Sequence, residues 1–320
     1  MIIRNNKGKS VNIPNFLIQK LDSIEKLANG SVLGRFMNTP MKYLDAQFFK
    51  RFIYSFNKGG RISKATTFWG DEMKLLLPAG MDIFLLGAKT HDSEIRLSKF
   101  LALNLSSGDI FVDAGAHFGF YSLLAAFVMQ REGLVVSFEA SEQIYKISSE
   151  NVQKNNLIKI YHNALTSDDN KQIEFNEFPI LYSEYNTIHS EQFEKSSWIQ
   201  KNRPNKILVN SARIDTVLPN EIANCKTLNA DPKYFVKIDV EGAEFEVLKG
   251  CSKILEQTAL KNKIYIVIEY WGEQKQPQHD HAVDFLTNYG FKAHLINQNG
   301  VLSPLDNLEN VKNSENIVFF

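Results

Sequence analysis

The stretch Phe111-Val-Asp-Ala-Gly-Ala-His-Phe-Gly-Phe-Tyr121 decides how the rest of the chain is read. It opens on a short apolar run, Ile110-Phe-Val-Asp113, of strand character, and leads into a helical run over residues 118–130. Glycines between a strand and a helix let the backbone turn tightly and approach a ligand, and the free N–H groups of the helix start favour polar or anionic groups. Gly115 and Gly119 are spaced G-x-x-x-G. The dinucleotide fingerprint requires G-x-G-x-x-G, and its second and third glycines are missing; no Lys-Ser/Thr follows to make a Walker A loop.

Asp113 precedes the first glycine by two positions. An acid at the strand end, aimed into the turn, repels pyrophosphate and suits a ligand with a cationic amino-acid moiety and no phosphate. S-adenosylmethionine is such a ligand. Glu139 closes the next strand, Leu134-Val-Val-Ser-Phe138, where an acid can accept from ribose hydroxyls. Taken one at a time, the same residues also read as a helix-packing turn with two solvated acids.

Outward from this turn the pattern alternates. Helices are expected over 142–155, 243–255 and 281–289, with strands over 159–162, 234–238, 263–268, 291–296 and 316–320. Short β-rich runs alternating with helices imply βαβ units and a parallel sheet covered on both faces. Upstream, Met73-Lys-Leu-Leu-Leu and Met81-Asp-Ile-Phe-Leu-Leu predict two strands of a hairpin turned at Pro78-Ala-Gly80. Asp92 is placed to cap a helix reaching Leu105. Residues 1–70 read as a helical extension, with helices near 15–27 and 41–56 ended by Lys58-Gly-Gly-Arg61; residues 71–320 read as the main domain. A polar segment at about 166–232, with extra strands at Gln172-Ile-Glu-Phe175 and Lys206-Ile-Leu-Val209, interrupts the rhythm and is expected to lie over the sheet edge. Its Tyr182, Tyr185, His189 and Trp198 either stack on a ligand or pack the loop onto the sheet.

Composition narrows the classes. The 320 residues are 44% hydrophobic and 22% charged, which excludes disorder and fibrous repeats. Lys+Arg and Asp+Glu are both 36, so no basic excess points to nucleic acid. Cys225 and Cys251 form no C-x-x-C and suit a reducing, cytoplasmic setting. The opening MIIRNNKGKS has no apolar core of a signal peptide, and the longest clean apolar run, residues 121–129, is too short for a membrane span.

A second constellation is Phe235-Val-Lys-Ile-Asp239-Val-Glu241-Gly-Ala-Glu244. It puts three carboxylates and Lys237 at the carboxyl end of a strand, the edge of an open α/β sheet where ligands bind. Glu244 alternatively serves as an acid in the first helical turn.

Phe111-Val-Asp-Ala-Gly-Ala-His-Phe-Gly-Phe-Tyr-Ser122, Ser137-Phe-Glu-Ala140, Asn163-Ala-Leu165, Arg213-Ile-Asp-Thr-Val217 and Val236-Lys-Ile-Asp-Val-Glu-Gly-Ala-Glu244 together resemble the FkbM family of methyltransferases, from about Met73 to the end of the chain. The resemblance implies a Rossmann-like class I α/β sheet of seven strands, mostly parallel, with the last strand antiparallel. It implies an S-adenosylmethionine-dependent O-methyltransferase acting on a hydroxyl of a sugar, glycan or secondary metabolite. Carried onto this chain, Asp113, Gly115, Ala116, His117 and Gly119 hold the methionine end of the cofactor. Glu139 holds the ribose, Ala140 sits at the adenine rim, Asn163 and Ala164 flank the adenine, and Asp239 and Glu241 lie near the methyl group and substrate. His117 stands where the family usually has Asn, and Ala140-Ser141 replaces its common Pro.

A hydroxyl is a weak nucleophile and needs a base or a metal. Asp239, Glu241 and Glu269 are the catalytic candidates. The three would also suit Mg²⁺, although no metal is assigned; Glu269 otherwise bonds a neighbouring turn. His279-Asp280-His281 lacks a metal-site donor count, and Asp280 is expected to cap a helix. Two other readings stay open: a nicotinamide-dependent oxidoreductase on a similar sheet, and a non-catalytic cofactor-binding module.

Overall fold

A computed structural model describes residues 2–4, 10–130, 132–194, 196–257, 262–272 and 277–320. A two-stranded pair, β1 (Ile2–Arg4) and β2 (Ser10–Asn12), leads into α1 (Ile13–Ala28). Pro14 lies in the first turn of α1, where a missing N–H costs nothing. Ile13, Leu17, Leu21 and Ile24 form its buried stripe. Then come α2 (Val32–Asn38) and α3 (Pro40–Phe48), which runs through a π-helical turn, Phe49–Tyr54, into α4 (Ser55–Asn57).

The antiparallel hairpin that follows is β3 (Arg61–Thr66) with β4 (Glu72–Leu77), pairing Arg61 with Leu77. The expected second strand at Met81 is instead helix α5 (Met81–Leu86). One cause is visible. The Asp82 carboxylate accepts from the N–H groups of Ile83 (2.7 Å) and Thr90 (3.2 Å), which fixes a helical turn. A six-residue apolar run does not by itself separate helix from buried strand.

Next comes α6 (Asp92–Asn104), whose N-cap is His91, so Asp92 is a first-turn acid and not the cap. The chain continues with β5 (Ile110–Ala114), α7 (Phe120–Met129), β6 (Leu134–Phe138), α8 (Glu142–Val152), β7 (Ile158–Tyr161), β8 (Ala164–Leu165), β9 (Gln172–Glu177) and β10 (Asn205–Ala212). Next are α9 (Ile214–Asn224), β11 (Tyr234–Ile238), α10 (Glu244–Lys249) and α11 (Ser252–Glu256). The chain closes with β12 (Ile264–Trp271), α12 (Pro277–Asn288), β13 (Ala293–Ile296), β14 (Leu302–Pro304) and β15 (Ser314–Phe319).

The single helix expected over 243–255 is broken at Gly250 into α10 and α11. The Asp215 carboxylate accepts from Lys253 and Ile254 N–H, each at 3.1 Å, and so starts a new helix there. Helix α12 begins at Pro277, which puts Asp280 in its first turn and not at its cap.

The main sheet runs β14-β13-β15-β12-β11-β5-β6-β7. Strands β7, β6, β5, β11 and β12 are parallel, and β15 enters antiparallel between β12 and β13. This is the mostly parallel class I methyltransferase sheet with an antiparallel last strand, and β14 adds an eighth strand at the edge. Residues of β5 and β6 are buried throughout, as strands covered on both faces must be. Helix α1 packs on α6; Lys99 of α6 is almost wholly buried and is paired with Asp22 and Glu25 of α1, each at 2.7 Å. The polar segment forms a separate three-stranded sheet, β8-β10-β9, at the carboxyl edge of the main one.

Candidate active site

The β5 turn and the β11 turn cross at the centre of the sheet. Gly115 has φ +80°, and a Cβ there would overlap the carbonyl oxygen of Asp239, so no side chain fits between the two turns. Parallel pairing sets Lys237 beside Asp113. The Lys237 Nζ lies 2.9 Å from Asp239 Oδ2 and 3.6 Å from Asp113 Oδ1. Asp113 is wholly buried and accepts from Ser122 Oγ at 2.6 Å. Burial pushes the Asp113 carboxyl up, and Lys237 opposes that. Burial would also push Asp239 up, but Lys237 and Lys89 outweigh it and hold its carboxyl below the usual range.

Glu139, at the end of β6, is buried and receives two backbone donors: His117 N–H at 2.8 Å and Ser141 N–H at 2.9 Å. Its carboxylate is thereby fixed in direction while each oxygen keeps a free lone pair. Burial, only partly offset by these donors, pushes it up to about 7. The ring of His117 bonds Ser183 Oγ at 3.0 Å. Its pKa falls to about 3 through burial and the nearby Lys89, so the ring is neutral.

Three acids converge at the other end. Carboxylate oxygens of Asp239, Glu241 and Glu269 lie within 4.8 Å of one another. Glu241 sits in a left-handed turn with φ +53°, and the inserted segment grips that turn: Thr187 Oγ1 donates to the Glu241 carbonyl at 2.6 Å, and Gln192 Nε2 donates to the same oxygen. Ser314 of β15 donates to Glu269. Burial, then Glu269 and Asp239, push Glu241 well above the carboxylate range. Burial, then Asp239, lift Glu269 to about 7. Burial lifts Glu184, opposite them, to about 7 as well.

Both ends open into one cavity of about 760 Å³ along the carboxyl ends of the strands. Of the sequence candidates, Gly115, His117, Glu139, Ala140, Asn163, Ala164, Asp239, Glu241 and Glu269 line it. Asp113, Ala116 and Gly119 stand behind its wall, where Asp113 holds Lys237 and Gly119 starts α7 with φ +82°. Within the inserted segment Tyr185 lines the cavity, whereas Tyr182 and Trp198 stack on each other at 4.7 Å and pack the loop. Lys89, Glu94, Arg96, Glu184, Trp271 and Lys312 also line it. Sequence reasoning passed over them, because they come from separate elements with no motif around them. Only Trp271, two residues after Glu269, and Glu184, next to Tyr185, lay beside a signal.

A strand–turn–helix cradle, an acid after the second strand and further acids at the central turns define a class I methyltransferase site. The methyltransferase FkbM domain model matches residues 113–293, more than half of the chain. The chain belongs to the FkbM methyltransferase family. Among solved structures it resembles the FkbM methyltransferase from Methylobacillus flagellatus KT at 16% identity, covering 67% of this chain and 44% of that one (TM-score 0.36). It also resembles an S-adenosylmethionine-dependent O-methyltransferase from Thermotoga maritima at 15% identity, covering 81% and 77% (TM-score 0.36). Aeropyrum pernix fibrillarin with bound S-adenosylmethionine matches at 8% identity, covering 68% of each chain (TM-score 0.35). The chain thus spans less than half the length of the first of these. No curated protein matches it.

Proposed function

We propose that this protein is an S-adenosylmethionine-dependent O-methyltransferase acting on a hydroxyl of a sugar, glycan or secondary metabolite. The observation that carries the reading is one continuous cavity with a fixed ribose-type acid, Glu139, at one end and convergent acids, Asp239, Glu241 and Glu269, at the other.

The residues present fit the cofactor chemically. Ala140, Ala164, Phe175 and Ile188 offer an apolar slot for an adenine ring beside Glu139. Asp239 offers negative charge for a sulfonium and ammonium. Bound there, the cofactor supplies an electrophilic methyl carbon on sulfur. The protein's part is to orient the acceptor hydroxyl, exclude water and take its proton. A base near neutrality suits that task, and Glu269 at about 7 is one. Glu241, pushed well above the carboxylate range by burial and then by its acidic neighbours, is placed to hydrogen-bond the acceptor. Oxygen donors in this number suit a hard divalent cation too. Two of the three acids already take protein donors, Asp239 from Lys237 and Glu269 from Ser314, so we assign the set to proton transfer. Carboxylates facing Tyr185 and Trp271 suit polyhydroxyl acceptors, and the many acids disfavour phosphorylated ones.

The test is transfer of labelled methyl to a panel of mono- and oligosaccharides, repeated on Glu269→Gln. Transfer to a hydroxyl, reduced at least 100-fold in the variant, is the expected result. Transfer to nitrogen only, or full activity of the variant, would overturn the assignment.

A further inference from the structure

The N-terminal helices carry a surface that neither the cofactor site nor the acceptor site uses. Met37, Met41, Leu44, Phe48, Phe52 and Phe56 are each more than half exposed, with Met41 at 79% and Phe56 at 86%. They fall three or four residues apart along α2 and the continuous run from α3 through α4, which places the last five on one side of that run. The opposite side, Ala46, Phe49 and Tyr54, is buried in the protein core. So the run is apolar on both sides, and its outer stripe has no cover. Phe48 and Phe52 pack ring to ring at 5.2 Å at the middle of the stripe.

The charge around this patch is one-sided. The chain as a whole balances 36 basic against 36 acidic residues. Residues 29–61 carry Arg35, Lys42, Lys50, Arg51, Lys58 and Arg61 against Asp45 alone. Asp45 is spent on Arg61. The other five make no ion pair among the described residues. A basic helical segment with an exposed aromatic and aliphatic stripe has the make-up of a helix lying in the plane of a membrane interface.

We propose that the α2–α4 surface seats the enzyme on an anionic lipid bilayer, with the Phe and Met stripe entering the interface and the basic residues meeting lipid headgroups. A second copy of the chain is a poorer occupant, because it repeats the basic excess of residues 29–61 and brings no unpaired acid to offset it. No span is involved: no helix among the described residues is long and apolar enough to cross a membrane. The seat is joined to the cavity. Tyr54, at the buried end of the run, accepts a hydrogen bond from Leu181 N–H at 3.1 Å. Leu181 belongs to the turn Ile180–Tyr185, whose Ser183, Glu184 and Tyr185 line the cavity.

The test is flotation of the full chain with phosphatidylcholine vesicles, with and without phosphatidylglycerol, at low and high salt. Wild type should float with the anionic vesicles only and be released by salt, as screening demands. Phe48→Ser with Phe52→Ser, and separately Lys50→Glu with Arg51→Glu, should each lower the bound fraction at least about tenfold. Unchanged thermal melts would show that these exposed substitutions leave the fold intact. Failure of wild type to bind anionic vesicles, or binding indifferent to both double variants, would overturn the proposal. So would a concentration-dependent dimer, seen by sedimentation and dispersed by F48S/F52S, in a chain that ignores vesicles; that result would give the face to a second copy. None of these outcomes depends on whether the enzyme methylates a hydroxyl.

Discussion

Replacing Lys237 with Met removes the one cation between two acids at the centre of the sheet while nearly conserving volume. Lys237 is 2% exposed and Asp113 is fully buried, so solvent screening does little for either. Breaking a buried pair by deleting one partner costs about 3–5 kcal/mol. A second route to the size starts from protonation. An orphaned Asp can escape by binding a proton, and at pH 7.5 that costs roughly 5 kcal/mol for a carboxyl of ordinary pKa. That figure caps the penalty for each acid, and near pH 5 the cap falls to roughly 1.5 kcal/mol. The sign follows. Without Lys237 the Asp113 carboxyl, already raised by burial, rises further and Asp239 loses the main cation that holds it down, so the loss is smallest near the unfolded pKa and grows as pH rises. Urea unfolding followed by tryptophan fluorescence at pH 5 and 7.5 measures it. The expected difference between wild type and Lys237→Met is about 3–5 kcal/mol at pH 7.5, shrinking to about 1–2 kcal/mol at pH 5. A deficit below about 1 kcal/mol at pH 7.5, or one independent of pH, would refute the view that Lys237 holds these acids ionised.

Three more predictions follow from the same geometry. Turnover should rise with pH through about 7 and then level off, because Glu269 must lose its proton to act as base; a pH–rate profile of Glu269→Gln should lack that limb. Gly115→Ala should cost at least about 2 kcal/mol in urea unfolding and weaken cofactor affinity, since the new Cβ meets the Asp239 carbonyl in a left-handed turn. Activity should survive EDTA; loss restored by Mg²⁺ would transfer the role of Asp239, Glu241 and Glu269 from proton transfer to metal binding.

What could be read in advance was local. The glycine turn after Ile110–Ala114 and the alternation that follows it are written in short apolar runs and their breaks, and the parallel sheet follows from them. The two closing strands were legible for the same reason, whereas β14, three residues long, left no pattern. The helix at Met81–Leu86 was misread because the actual partner strand, Arg61–Thr66, has only Ile62 and Ala65 apolar and so carries no alternation to mark it. At the site, the acids at strand ends could be named, but not their facing. Asp113 and Asp239 look alike in sequence, yet pairing register sends the first behind Lys237 and the second into the cavity. Lys89, Arg96, Glu184 and Lys312 meet only through the tertiary fold, so no spacing announces them.

The most direct test of the account is a calorimetric titration of the protein with S-adenosylhomocysteine, run beside NAD⁺ and repeated on Glu139→Ala. Binding of S-adenosylhomocysteine alone, at about micromolar affinity and weakened at least tenfold in the variant, is the predicted result for a ribose held by Glu139. No binding by the folded wild type, or binding of NAD⁺ in its place, would contradict it.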